Sequence, residues 1–204
     1  MKHKIIYLEG DLPDNFKALK SVAVDTEATG LSMLRDRLCV VQLTNGDGII
    51  YVVKVNPPYN CPNLKKMLAN PKVEKIFHFA RFDVAMIKKC LGVVVNPIFC
   101  TKIASKLSRT STDKHSLKAL VKEMFGVDLN KDEQTSDWAV PHLSESQIKY
   151  AAGDVEYLHR IKDILVEKLK RENRLAYAQE AFKFLPTRCE LDLSGFGEDD
   201  IFAH

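Results

Sequence analysis

The feature that most constrains this chain is a hairpin. Leu38 to Thr44 and Ile49 to Val53 are β-rich runs joined by Asn45-Gly46-Asp47-Gly48. Asn-Gly supplies the positive φ angles of a tight primed turn, whose twist matches the strands it joins. Any fold must therefore contain an antiparallel pair over roughly 38–53. Ser21-Val22-Ala23-Val24 is a further apolar run, ended by polar Asp25-Thr26-Glu27 and by Gly30. Lys75 to Phe79 reads as another strand. Asn60 and Pro62 suit the N-cap and first turn of a short helix through Leu68, which Pro71 closes. Val84, Ile87, Lys88 and Leu91 sit at helical spacing, with Gly92 as a stop.

The second half is helical. Ser116 can cap a helix from Leu117 to Phe125, ended by Gly126. Ser144-Glu145-Ser146-Gln147 is a capping box opening a helix that should run to about Lys170. A third helix is expected from about Glu172 to Leu185, stopping at Pro186. Strands first, then alternation, then helices, predict an α/β domain with a mixed sheet. The length of 204 residues fits a single domain over 1–204. Its acidic tail, about 190–204, carries five acids and no Lys or Arg. Leu191, Leu193, Phe196, Ile201 and Phe202 would let that tail fold back.

Composition narrows the class. At 46% hydrophobic and 28% charged residues, disorder is excluded as the main state. No apolar run approaches the ~18 residues of a membrane span, and Glu9 and Asp11 come too early for a signal peptide. The five cysteines have no C-x-x-C spacing, so they read as buried thiols of a reducing, cytoplasmic compartment. A net charge of +3 does not announce a nucleic-acid partner.

Four acids stand out by position. Asp25 and Glu27, at i and i+2 of a strand end, share one face. Asp83 opens a helix after a strand. Asp154 lies beside the apolar stripe of the capped helix, next to Gly153, a poor helix residue that suggests close approach of another group. Tyr150 lies one turn before Asp154, on the same face. Facing carboxylates repel and lose hydration. Hard cations such as Mg²⁺ or Mn²⁺ relieve this, and three or four acids can hold two metals for phosphoryl transfer. By spacing alone, Asp-x-Glu reads equally as a loop or cap, Asp83 as a first-turn acid favoured by the helix dipole, and Tyr150 as a core aromatic.

Together these residues resemble the Tyr-containing branch of the DEDD exonuclease superfamily, ribonuclease D. The motifs that carry the resemblance are Val24-Asp25-Thr26-Glu27-Ala28-Thr29-Gly30-Leu31, Phe77-His78-Phe79-Ala80-Arg81-Phe82-Asp83 and Tyr150-Ala151-Ala152-Gly153-Asp154. Lys131, Gln134 and Ser136-Asp137-Trp138 are similar to the segment before the third motif, and Asp200 to His204 to the end of short bacterial relatives. The Tyr type follows from Tyr150 at minus four, with Lys149 where the other branch has histidine. The resemblance implies an RNase H-like fold with a mostly five-stranded mixed sheet and helices around it. It implies a 3′–5′ exoribonuclease that releases 5′-nucleoside monophosphates from single-stranded RNA ends, in processing or turnover of small structured RNAs such as tRNA precursors. DNA is the alternative substrate, and a silent RNase H-like binding module the alternative class. Asp25, Glu27, Asp83 and Asp154 would hold two Mg²⁺ or Mn²⁺ ions, and Tyr150 would orient water. Longer ribonuclease D proteins carry C-terminal helical domains, which are not expected here.

Substrate contacts are expected from Leu31, as an apolar wedge or a core leucine, and from Thr26 and Thr29. His78 and Arg81 flank the second motif, and Arg81 could reach a phosphate. Trp138 reads as a packing anchor. From Thr101 to Lys122 there are six basic residues against Asp113. Lys102, Lys106 and Arg109 of that run would track RNA, or form a solvated helix face.

Overall fold

The computed structural model describes residues 3–130, 132–199 and 201–203. The expected hairpin is present as β3 (Leu38–Thr44) and β4 (Ile49–Lys54), paired antiparallel. Gly46 and Gly48 take φ of 78° and 89° in the turn. The Thr44 hydroxyl donates to Ile49 O at 2.6 Å and accepts from Gly46 N at 3.1 Å, closing the loop locally. β2 (Ser21–Ala28) pairs antiparallel with β3 on one side. On its other side it pairs in parallel with β5 (Glu74–Phe77), but only through Ser21, Val22 and Ala23. The second half of β2, with Asp25 to Glu27, thus projects past its parallel neighbour.

The described sheet has six strands in the order β1-β4-β3-β2-β5-β6, with β1 spanning Lys4–Glu9 and β6 spanning Ile98–Cys100. It is the expected mixed α/β sheet with one strand more than five. β1 is a half-exposed edge strand in parallel with β4, and β6 has three residues, too short to show alternation. Crossovers pass through α1 (Pro62–Ala69) and α2 (Ala80–Leu91), as parallel neighbours require. α3 (Thr101–Ser108) follows β6, and α4 (Leu117–Phe125) has the predicted Ser116 cap and Gly126 stop. α5 (Glu145–Glu156) opens with the capping box and lies across β2, β3 and β4.

Two helices differ from expectation. The long capped helix is interrupted at Tyr157 (φ −102°, ψ −7°), and α6 (Leu158–Arg171) follows with Leu158, Ile161 and Leu165 buried. α7 (Leu175–Leu193) runs straight through Pro186 instead of stopping there. Proline forfeits one backbone bond and crowds the preceding turn, but α7 is held against α2 by buried Phe182, Leu185, Cys189 and Asp192. The supposed tail therefore begins as helix. Leu193 packs on the core, while Phe196, Ile201 and Phe202 stay exposed, so the apolar fold-back is only partial. Asp200 and His204 lie outside the described residues.

Candidate active site

The site forms where β2 outruns β5. Asp25 and Glu27 point to the face covered by α5, as their i, i+2 spacing requires. Thr26 points the other way and donates its hydroxyl to Asp83 Oδ1 at 2.6 Å. Asp83 reaches that position because the chain leaves β5, turns through Phe79 in the left-handed region (φ 67°) and enters α2 three residues later. Asp83 is only 3% exposed. Asp154 comes from α5, and ligand oxygens of Asp25, Glu27 and Asp154 lie within 4.8 Å of one another. Asp83 stands outside that triplet, tied to it through the neighbouring Thr26.

These acids are under electrostatic stress. Burial, then Asp83, Asp154 and Glu27, raise the Asp25 pKa well above the carboxylate range. Burial, then Asp154 and Asp83, do the same to Glu27. Burial raises Asp83 and Asp154 each to about 7. Tyr150 hydrogen-bonds Asp154, and burial and the three acids push its phenol far above its usual value, so it stays protonated. Trp138, 2% exposed, backs Tyr150 with ring centroids 5.9 Å apart. Oxygen-only donors at this spacing, too crowded to ionise together, suit a hard divalent cation. Gly153 has no close neighbour; an added Cβ would meet nothing within 4 Å. The expected close approach at that glycine is therefore not found.

The acids open into a cleft of about 780 Å³. Leu31 stands on its rim, 89% exposed, so it is not a core leucine. Thr29 is exposed, and its hydroxyl accepts from Arg37 N at 3.1 Å. His78 Nδ1 lies 2.9 Å from the Thr101 hydroxyl, which itself donates to Phe77 O at 3.1 Å. Nδ1 therefore carries the ring proton. Burial, then the Lys102 charge, hold the imidazole neutral, its pKa near 3.

The structure redistributes the predicted cations. Arg81 does not face the cleft as a free guanidinium: it grips Asp192 through two bonds of 2.7 Å and donates to Gly197 O. Its arginine fork suits that planar, bidentate partner. Arg109 is 7% exposed and binds Glu123, Ser105 Oγ and Lys114 O, tying α3 to α4. It leaves the proposed stripe. Lys102 lies 4.1 Å from the Phe79 ring centroid, and Lys106 is exposed. Thr26 is likewise committed to Asp83 rather than open to substrate. Lys131 lies outside the described residues.

Gln42 has no counterpart in the sequence expectations. It sits on β3 opposite Asp25 and donates to Asp25 Oδ2 at 2.6 Å. Its signal was a lone amide inside an otherwise β-rich run, and the β2–β3 register pairs it with the strand bearing the acids. Among the described residues, no helix is long and apolar enough to cross a membrane.

A mixed sheet whose central strand delivers two acids to a third on a crossing helix defines a metal-dependent phosphoryl-transfer enzyme class. The family model for 3′–5′ exonuclease matches residues 8–170, and the chain belongs to that family. The family is dependent on divalent metal, in keeping with the acidic cluster. Ribonuclease D of Xanthomonas oryzae pv. oryzae is 34% identical over 190 residues, 92% of this chain and 52% of the relative. The structure of Brucella melitensis NrnC bound to pGG superposes with a TM-score of 0.94 at 49% identity, covering 99% of both chains. Escherichia coli RNase D, described as an exoribonuclease involved in structured RNA processing, gives 0.73 at 26% identity, covering 84% of this chain and 45% of that one. The chain spans about half the length, or less, of the curated ribonuclease D relatives it matches.

Proposed function

We propose that the chain acts as a single exonuclease domain that hydrolyses RNA from its 3′ end, releasing 5′-nucleoside monophosphates. The observation that carries this is the convergence of Asp25, Glu27 and Asp154, with Asp83 beside them, at the floor of an open cleft. Asp25, Glu27 and Asp154 would hold one Mg²⁺ or Mn²⁺; Asp25 and Asp83 would hold a second. Such ions ease ionisation of water and offset charge on the attacking and leaving oxygens.

The protein's own groups do the rest. Water adds to phosphorus and releases a proton to solvent, the bond from phosphorus to the 3′ oxygen breaks, and that oxygen takes a proton from solvent. Tyr150, kept protonated by burial and three neighbouring acids and donating that proton to Asp154, would orient the water by accepting a hydrogen bond from it at the phenol oxygen and does not act as base. Trp138 fixes the phenol from behind. Leu31, exposed at the cleft rim, would serve as an apolar wedge against the terminal base. Neutral His78 presents Nε2 as an acceptor, and Thr29 adds a polar contact. Lys102 and Lys106 supply positive charge beyond the cleft. By likeness to the pGG-bound NrnC and to ribonuclease D, the substrates extend from short RNA such as pGG to small structured RNAs such as tRNA precursors. Five free thiols support a cytoplasmic setting.

The test is a 5′-labelled single-stranded RNA incubated with Mg²⁺, Mn²⁺ or EDTA. A metal-dependent ladder of one-nucleotide steps is expected. An intact substrate in every lane, or internal fragments, would exclude this function. A matching single-stranded DNA separates RNA preference from a general 3′ exonuclease.

A further inference from the structure

We propose that Gln42 is a positioning residue, holding the Asp25 carboxylate in its cation-binding orientation; this rests on the metal-site reading above. Register places Gln42 directly opposite Asp25 across the β2–β3 pair, where facing side chains are about 4.5–5.5 Å apart at Cβ. Its Nε2 donates to Asp25 Oδ2 at 2.6 Å, which engages one carboxylate oxygen and leaves the other unclaimed. The reverse orientation would set the amide oxygen against a carboxylate, so the acids themselves dictate which end faces them.

The amide is a poor choice for stability. Gln42 is 0% exposed, in a strand whose every residue is buried. Among the described residues, its buried Oε1 has no hydrogen-bond partner. A buried amide left half-satisfied is worse for the fold than an apolar side chain of the same shape. Thr44, the other buried polar side chain projecting two residues along β3, shows the contrast: its hydroxyl both donates and accepts within the turn. What Gln42 gains is concentrated at Asp25. Outer-shell donors of this kind change metal affinity by about 10–100-fold when removed.

The experiment is calorimetric titration of the full chain with Mn²⁺, alongside thermal melts in EDTA. Gln42→Met keeps the shape and removes the donor. The expected result is a Kd for Mn²⁺ raised about tenfold or more, with the metal-free melting point within about 4 °C of wild type. Gln42→Asn keeps an amide but falls one methylene short, and should weaken binding likewise, which covers the case of a Met variant that fails to fold. A wild-type Kd in both variants overturns the assignment alone. So does weaker binding accompanied by a melting point lowered by about 10 °C or more, which would make Gln42 a structural residue. Wild-type protein that takes up no Mn²⁺ would overturn the metal-site reading and the assignment with it.

Discussion

Removing one carboxylate from the metal-free site should make the protein more stable while destroying its activity. Consider Asp154→Asn. In wild type the ligand oxygens of Asp25, Glu27 and Asp154 lie within 4.8 Å of one another. One ionised pair at that distance repels by about 3 kcal/mol at an effective dielectric near 20. Burial adds a separate penalty for ionising Asp154. The rise of its pKa from 3.8 to about 7 corresponds to about 4 kcal/mol. Both are upper bounds, because the three acids share protons and side chains relax. About half, ~2 kcal/mol, should survive, which raises the melting point by about 4–8 °C for a chain of this size. The sign follows from linkage: a carboxyl whose folded pKa exceeds its unfolded one favours the fold while protonated and loses that stability as pH rises from about 4 to about 7. The asparagine does not titrate, so its advantage should be small at pH 5 and full at pH 8. The asparagine oxygen can still accept from Tyr150. Thermal melts in EDTA at both pH values measure this. Added Mn²⁺ should reverse the order, because wild type gains binding free energy that the variant lacks. A variant that melts below wild type in EDTA at pH 8 would refute the reasoning.

Other outcomes follow from the same geometry. Tyr150→Phe should keep Mn²⁺ binding and lower the single-turnover rate about tenfold or more; full activity removes the phenol from the mechanism. Asp192→Ala leaves Arg81 and Arg188 without their shared partner and should cost about 3 kcal/mol in urea denaturation; an unchanged midpoint would show the pair to be ornamental. Lys102→Ala with Lys106→Ala should flatten the salt dependence of single-stranded RNA binding by about 1.4 in log–log slope. Arg109→Ala should leave that slope alone and lower stability, since its guanidinium is buried against Glu123.

Much of the fold was legible because its signals are local. Asn45-Gly46 announced β3 and β4, and Ser116 with Gly126 bounded α4 to the residue. Ser144 with Gln147 set the start of α5. Elements defined by packing were not legible. β6 is three residues long, and α7 crosses Pro186 because α2 holds it from the side. The acids could be suspected from Asp25, Glu27 and the Tyr150–Asp154 spacing, but their closeness depends on α5 crossing β2. Charge in sequence misled where burial decided: Arg81 and Arg109 looked available to substrate phosphates and are anchored to carboxylates. Gln42 was hidden because an amide in a β-rich run has no meaning until the β2–β3 register sets it against Asp25.

The most direct measurement is anomalous diffraction from crystals soaked in Mn²⁺. Two peaks are expected: one bounded by oxygens of Asp25, Glu27 and Asp154, the other by Asp25 and toward Asp83. Crystals that diffract well but show no peak at these carboxylates would contradict the metal-centred site on which the proposed exonuclease chemistry depends.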